Sequence, residues 1–209
     1  MIRRFDLACG CSLTEHSQAS CRVRKLTYIK EENIYRGVLR IMGKKLLIVA
    51  SKRYGDYVKE IAESMGCFEE ISFVDNDREG AIGKLEEVDT FYPEYRYAIA
   101  ACDDGEERLK WNKRLEMIYN IPVLFHKDST ISPSAELQIG CIVEPRAVIG
   151  CGSTICQAKV VGANSVVEPY CLVGDGCTLK SGTIVKSTSA LNIGTETEQG
   201  TVLFTPIDK

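Results

Sequence analysis

Residues 131–191 read I-S-P-S-A-E-L-Q-I-G-C-I-V-E-P-R-A-V-I-G-C-G-S-T-I-C-Q-A-K-V-V-G-A-N-S-V-V-E-P-Y-C-L-V-G-D-G-C-T-L-K-S-G-T-I-V-K-S-T-S-A-L, with an aliphatic residue at every sixth position. The series runs Ile131, Leu137, Val143, Ile149, Ile155, Val161, Val167, Val173, Leu179, Val185 and Leu191 without a break. The position four later is small, as at Ala135, Cys141, Ala147, Ser153, Ser165, Cys171, Cys177, Thr183 and Ser189, with Lys159 the exception. Gly150, Gly162 and Gly174 directly follow their aliphatic residue, and the sequence marks them as turns. A helix repeats every 3.6 residues and a strand every 2, so neither gives a period of six. A hexapeptide β-helix does: each unit supplies one short strand and one turn, and stacked coils bury a continuous aliphatic column. With three units per coil, the eleven units make nearly four coils. Cys141, Cys171 and Cys177 then read as small inward packers.

Upstream, residues 44–126 alternate strand and helix. Leu46–Ser51 is a short apolar run of the kind buried on both faces of a sheet. Asp56 is placed to cap a helix that buries Val58, Ile61, Ala62 and Met65, and Gly66 ends it. Ile71–Val74, Tyr97–Cys102 and Ile121–Phe125 read as further strands. Glu106–Tyr119 reads as a second helix with Trp111, Leu115 and Ile118 inward. This order predicts a small parallel sheet. Residues 1–43 show no sustained period. Either Met42 is the biological start, or they form a loosely packed extension. The expected division is therefore 1–43 irregular extension, 44–126 α/β unit, 127–194 β-helix and 195–209 C-terminal tail.

The chain has 209 residues, 44% hydrophobic and 26% charged, enough for a packed core and too apolar for a disordered chain. A net charge of −3 argues against nucleic acid or an acidic membrane as partner. No apolar run approaches a bilayer span, and Arg3 and Arg4 precede no secretory core, so a cytoplasmic protein is expected. In that reducing compartment the ten cysteines read as thiols. Cys9, Cys11, Cys21 and His16 are either an incomplete metal set or an unstructured stretch, and no metal is expected.

The segments L-L-I-V-A-S-K-R-Y-G (46–55), F-V-D-N-D (73–77) and I-P-V-L-F-H-K-D-S-T-I-S-P-S-A (121–135), followed by the period-six column, resemble the PglD/NeuD-like sugar acetyltransferases over residues 43–191. That resemblance implies a Rossmann-like N-terminal domain that holds a nucleotide-sugar and a left-handed parallel β-helix that forms a homotrimer. It also implies acetyl-CoA as the acyl donor, bound between subunits, and a histidine base.

Departures from the family pattern concern the site. The family's glycine-rich first turn is here Ser51-Lys52-Arg53-Tyr54-Gly55; Lys52 and Arg53 either meet a diphosphate or form a solvated loop. Asp75 and Asp77 stand where the family's acidic residue contacts the nucleotide, though an acidic strand end is also a common turn. Asp103 replaces part of an I-G-N motif. The nucleotide-sugar set is thus Ser51, Lys52, Arg53, Asp75, Asp77 and Asp103. The family's V-V-D-H-D-C-V-I-G becomes V-V-E-P-Y-C-L-V-G over 166–174, which puts Pro169 at the histidine position. Glu168 is the remaining catalytic candidate, against its reading as an exposed turn residue. His126 matches an inter-domain linker and reads as structural. Two functions follow: an acyl-CoA-dependent sugar O- or N-acyltransferase of glycan or nucleotide-sugar metabolism, or a non-catalytic trimeric scaffold or nucleotide-sugar-binding relative that lacks the catalytic base.

Overall fold

The computed structural model describes residues 44–50 and 53–207. The expectations for the extension 1–43, with Cys9, Cys11, His16 and Cys21, and for Ser51 and Lys52 lie outside the described residues.

Three parallel strands, β1 (Lys44–Ala50), β2 (Phe68–Val74) and β3 (Tyr97–Ala101), form one sheet in the order β2-β1-β3. β1 is central, and Leu46 to Ile48 are wholly buried on both faces, as its unbroken apolar run requires. Helix α1 (Tyr54–Ser64) packs Val58, Ile61 and Ala62 against Leu46, Ile48 and Ala50. Asp56 does not cap this helix. Arg53 occupies the cap position, and Asp56 lies within the first turn, where its carboxylate pairs with Arg78. Helix α2 (Gly105–Leu115) begins one residue earlier and ends four earlier than its sequence pattern suggests. Its cap is Asp104, whose side chain accepts from the Glu107 amide at 2.7 Å.

The fourth expected strand does not join this sheet. Leu124–Phe125 pairs with Ile142–Val143 and starts the β-helix. From there the chain winds through three parallel sheets of four, five and four short strands. The first side stacks residues 124–125, 142–143, 160–161 and 178–179. The second stacks 130–131, 148–149, 166–167, 184–185 and 202–203, and the third 136–137, 154–155, 172–173 and 190–191. Val143 lies beside Val161 and Val161 beside Leu179, so each coil takes eighteen residues. The period-six aliphatic residues form one interior cluster with Cys141, Cys171 and Cys177. Val202–Leu203 continues the second side, so the chain is still coiling after Leu191.

The turns also repeat every six residues, three positions after each aliphatic residue from Leu137 to Leu191 and once more at Gly200. Gly140, Arg146, Gly152, Ala158, Asn164, Tyr170, Gly176, Gly182, Thr188, Gly194 and Gly200 all have positive φ. Gly150, Gly162 and Gly174 are not among them. They are glycines because the next coil lies against them: a Cβ on Gly150 would stand 2.6 Å from the Pro169 nitrogen, and one on Gly162 2.5 Å from the Leu179 oxygen.

Candidate functional site

The C-terminal ends of β2, β1 and β3 lie side by side, and the strand order reverses about β1. Ligands of open parallel sheets bind at such an edge, beyond the strand ends at the switch point. The described candidates line up there. Asp75 follows β2, Arg53 precedes α1 beyond β1, and Asp103 follows β3. Arg53 and Asp103 are exposed, and the Arg53 side chain makes no capping bond. Asp75 is only 9% exposed, and its Oδ1 accepts the Asp77 amide at 2.9 Å, so part of its carboxylate shapes its own turn. Asp77 is exposed. Behind them Gly55 lets α1 approach the sheet, since a Cβ there would stand 2.5 Å from the Ala50 Cβ.

Sequence reasoning missed the residues that close this edge from the β-helix side. Tyr54, the first residue of α1, donates its hydroxyl to Glu144 Oε1 at 3.2 Å. Glu144 follows the strand Ile142–Val143 and takes the Ala163 amide of the next coil on Oε2 at 2.8 Å. Burial pushes the Glu144 carboxyl above the usual carboxylate range, and burial, then the neighbouring Glu144, raises the Tyr54 hydroxyl well above its ordinary value.

Arg108 of α2 lies beneath, wholly buried. Its guanidinium donates to the carbonyls of Ala158 (2.9 Å), Cys102 (2.8 Å), Asp103 (3.2 Å) and Cys177 (3.2 Å) and to Thr178 Oγ1 (2.9 Å). Burial pulls its pKa below the usual arginine range, with no carboxylate among its bonded partners. Arg78 stacks its guanidinium 3.7 Å from the centre of the Phe73 ring and pairs with Asp56 on α1. Neither arginine carried a motif in the sequence. Their roles depend on surfaces that exist only after folding.

Glu168 and Pro169 sit elsewhere, on the second side of the coil. Glu168 Oε2 accepts the Ser187 amide at 2.8 Å, nineteen residues on. That is the arrangement of Glu144 with Ala163, also nineteen residues on. Both glutamates begin a V-E-P corner: Pro145 and Pro169 come next, then Arg146 and Tyr170 with φ of 59° and 61°. Proline followed by a left-handed residue is the signature of a type II turn, so these are two copies of one coil corner. His126 is half-buried in the connection to the coil; its amide donates to Val143 O at 2.8 Å, and its Nδ1 accepts from the Asp128 amide at 3.2 Å.

No family model matches the chain, and no curated protein matches it by sequence. Solved structures do resemble it. The acetyltransferase domain of PglB from Neisseria gonorrhoeae FA1090, in complex with acetyl coenzyme A, is 25% identical with a TM-score of 0.68, over 77% of this chain and 84% of that one. A second structure of that domain is 20% identical with a TM-score of 0.66, over 79% of this chain and 94% of that one. A mutant of perosamine N-acetyltransferase from Caulobacter crescentus, in complex with CoA and GDP-perosamine, is 18% identical with a TM-score of 0.62, over 79% of this chain and 90% of that one. These overlaps are longer than the coil alone. Two of these structures are of an acetyltransferase domain and the third is of a perosamine N-acetyltransferase; the likeness to the first supports a general acyltransferase-like role.

Proposed function

We propose that this chain is an acyl-CoA-dependent sugar acyltransferase-like protein whose acceptor is carried on a nucleotide. The likeness to an acetyltransferase domain in complex with acetyl coenzyme A, extending over both parts of the chain, carries this reading. In it the three-stranded unit is a Rossmann-like nucleotide-sugar domain, the coil is left-handed, and acetyl-CoA is the donor. Ser51, Lys52, Arg53, Asp75, Asp77 and Asp103 form the nucleotide-sugar edge. Support for that edge is its place at the strand ends, where Arg53 and Asp103 face solvent.

Acyl transfer needs the acceptor deprotonated as it attacks the thioester, and a positioned base typically contributes about 10²–10⁴-fold. We do not assign that role to Glu168, because its carboxylate holds a coil corner as Glu144 does. Pro169 has no ionisable group. The decisive experiment is incubation with labelled acetyl-CoA and UDP- and GDP-linked amino sugars, beside calorimetry with CoA and with each nucleotide. Label transfer to a nucleotide-linked sugar is expected at a rate well below that of a histidine-based enzyme, and Pro169→His with Tyr170→Asp should exceed either single change. Binding of neither CoA nor any nucleotide would overturn the proposal.

A further inference from the structure

Helix α1 is tied to the coil at both of its ends. At the far end the Ser64 hydroxyl oxygen accepts the Lys127 amide at 3.1 Å, in the connection that leads into the coil. At the start the Tyr54 hydroxyl donates to Glu144 Oε1 at 3.2 Å. The Tyr54 ring packs on a cluster that joins Ala50 of β1 to Leu124, Ile142 and Val160 of the coil's first side. Only the second tie lies at the nucleotide edge, because Tyr54 directly follows Arg53. Glu144 is itself fixed: it is 7% exposed, and its Oε2 takes the Ala163 amide at 2.8 Å. The matching corner holds its left-handed turn with the equivalent bond alone. Among the described residues, Glu168 accepts a hydrogen bond only from the Ser187 amide, at 2.8 Å. The coil therefore does not require the Tyr54–Glu144 bond, which engages an oxygen that the corner leaves free.

We propose that Tyr54 and Glu144 are positioning residues for the nucleotide: their bond anchors the turn that carries Arg53 to a rigid corner of the coil, so that the turn meets its ligand already in place. This role presupposes that the strand-end edge is the nucleotide site, as proposed above. Arg53 needs such an anchor, since its side chain is exposed and makes no capping bond. Binding groups must be held to within about 0.5 Å of their productive geometry by supporting hydrogen bonds and packing. A turn that is ordered beforehand also loses less freedom when the ligand arrives. The coil thus contributes to nucleotide affinity through the first residue of α1, without touching the nucleotide. Linkage makes the effect reciprocal: a ligand that favours the anchored turn also favours the closed Glu144 corner.

The test measures binding of UDP and of GDP to the full chain by calorimetry. Tyr54→Phe keeps the ring in the shared cluster and removes the hydroxyl. It should weaken whichever nucleotide the wild type binds by about 3–10-fold. Glu144→Ala should weaken it by a similar factor, and the double variant no further than either single change. Glu144→Gln still bonds both the Tyr54 hydroxyl and the Ala163 amide, and should bind nucleotide as the wild type does. In the wild-type protein, saturating nucleotide should slow hydrogen exchange at the Ala163 amide, within the coil. Equal affinity in the wild type and Tyr54→Phe would overturn the positioning role while leaving the nucleotide edge intact. Additive losses in the double variant would also overturn it, since Tyr54 would then act on the ligand independently of Glu144. A wild type that binds neither nucleotide would remove the edge and the positioning role together. Should the variants fail to fold, exchange at Ala163 decides: slowing supports the role, and unchanged exchange in nucleotide-bound protein overturns it.

Discussion

Among the inward positions four residues after each aliphatic member, Lys159 alone is long and basic. A polar group buried without a partner costs about 1–3 kcal/mol, and the coil bears that cost at Lys159 Nζ. Methionine keeps the length of the side chain and removes the amine, so Lys159→Met should stabilise the fold by about 1–3 kcal/mol in urea denaturation at pH 7. The pH dependence has a definite sign. In the unfolded chain the amine titrates at its ordinary 10.5, and in the folded chain lower. Between those values the unfolded state binds more protons, so stability rises with pH up to about 10.5 and falls as pH drops toward the folded value. Lys159→Met should flatten that slope on the alkaline side, as pH approaches 10.5 from below. An unchanged slope would show that the amine finds a proton acceptor in the folded chain.

At the scale of elements, α2 lies on a corner of the coil formed by Gly140, Ala158 and Gly176, eighteen residues apart. Asn112 Nδ2 would stand 2.5 Å from a Cβ on Gly140, and a Cβ on Gly105 runs into the Gly176 carbonyl oxygen. Arg108 completes the seam by serving carbonyls of both units. Arg108→Met leaves several buried acceptors without a donor and should cost about 2–4 kcal/mol, read as a lower urea midpoint. Gly105→Ala should cost about 1–3 kcal/mol by forcing the seam apart. This docking explains what the sequence could and could not reveal. The coil was legible because each six-residue unit solves its own local problem, with one aliphatic residue inward and one left-handed turn, and the solution recurs. The buried face of α2 was not, since Trp111, Leu115 and Ile118 looked like its core side. Only Leu115 is wholly buried, and Arg108 and Asn112 take the other inward places. A coil corner presents carbonyls, and donors to them read as surface residues until the corner exists. The strand-end carboxylates Asp75 and Asp103 were legible from where apolar runs stop. The Tyr54–Glu144 bond, between residues ninety apart in different units, left no local mark.

For the whole molecule, the outward faces of the coil decide how it assembles. On the first side the outward residues Leu124, Ile142 and Val160 are buried and pack in one cluster with residues of β1 and α1. The third side presents Glu136, Thr154, Leu172 and Ala190, a mixed surface. The second side presents Val148, Val166, Ile184 and Val202, one above another, with Thr130 at its end. Val148, Val166 and Ile184 are only half-covered, and Val202 is 54% exposed. A parallel sheet with aliphatic side chains on both faces is ordinarily buried on both. Fully burying a valine or isoleucine contributes about 1.5–3 kcal/mol relative to leaving it in water. The homotrimer proposed from the family resemblance would give this stripe a partner, since a closed cyclic assembly uses the same patches on every subunit. Light scattering of the wild-type protein at micromolar concentration should therefore give three times the chain mass. Val166→Glu places a carboxylate at the centre of the stripe, on the outer face, where it displaces nothing in the interior column. It should give a monomer whose far-UV circular dichroism matches the wild type, while Thr130→Glu at the margin should leave the assembly intact. A monomeric wild-type protein would defeat the trimer and leave the aliphatic stripe without an occupant.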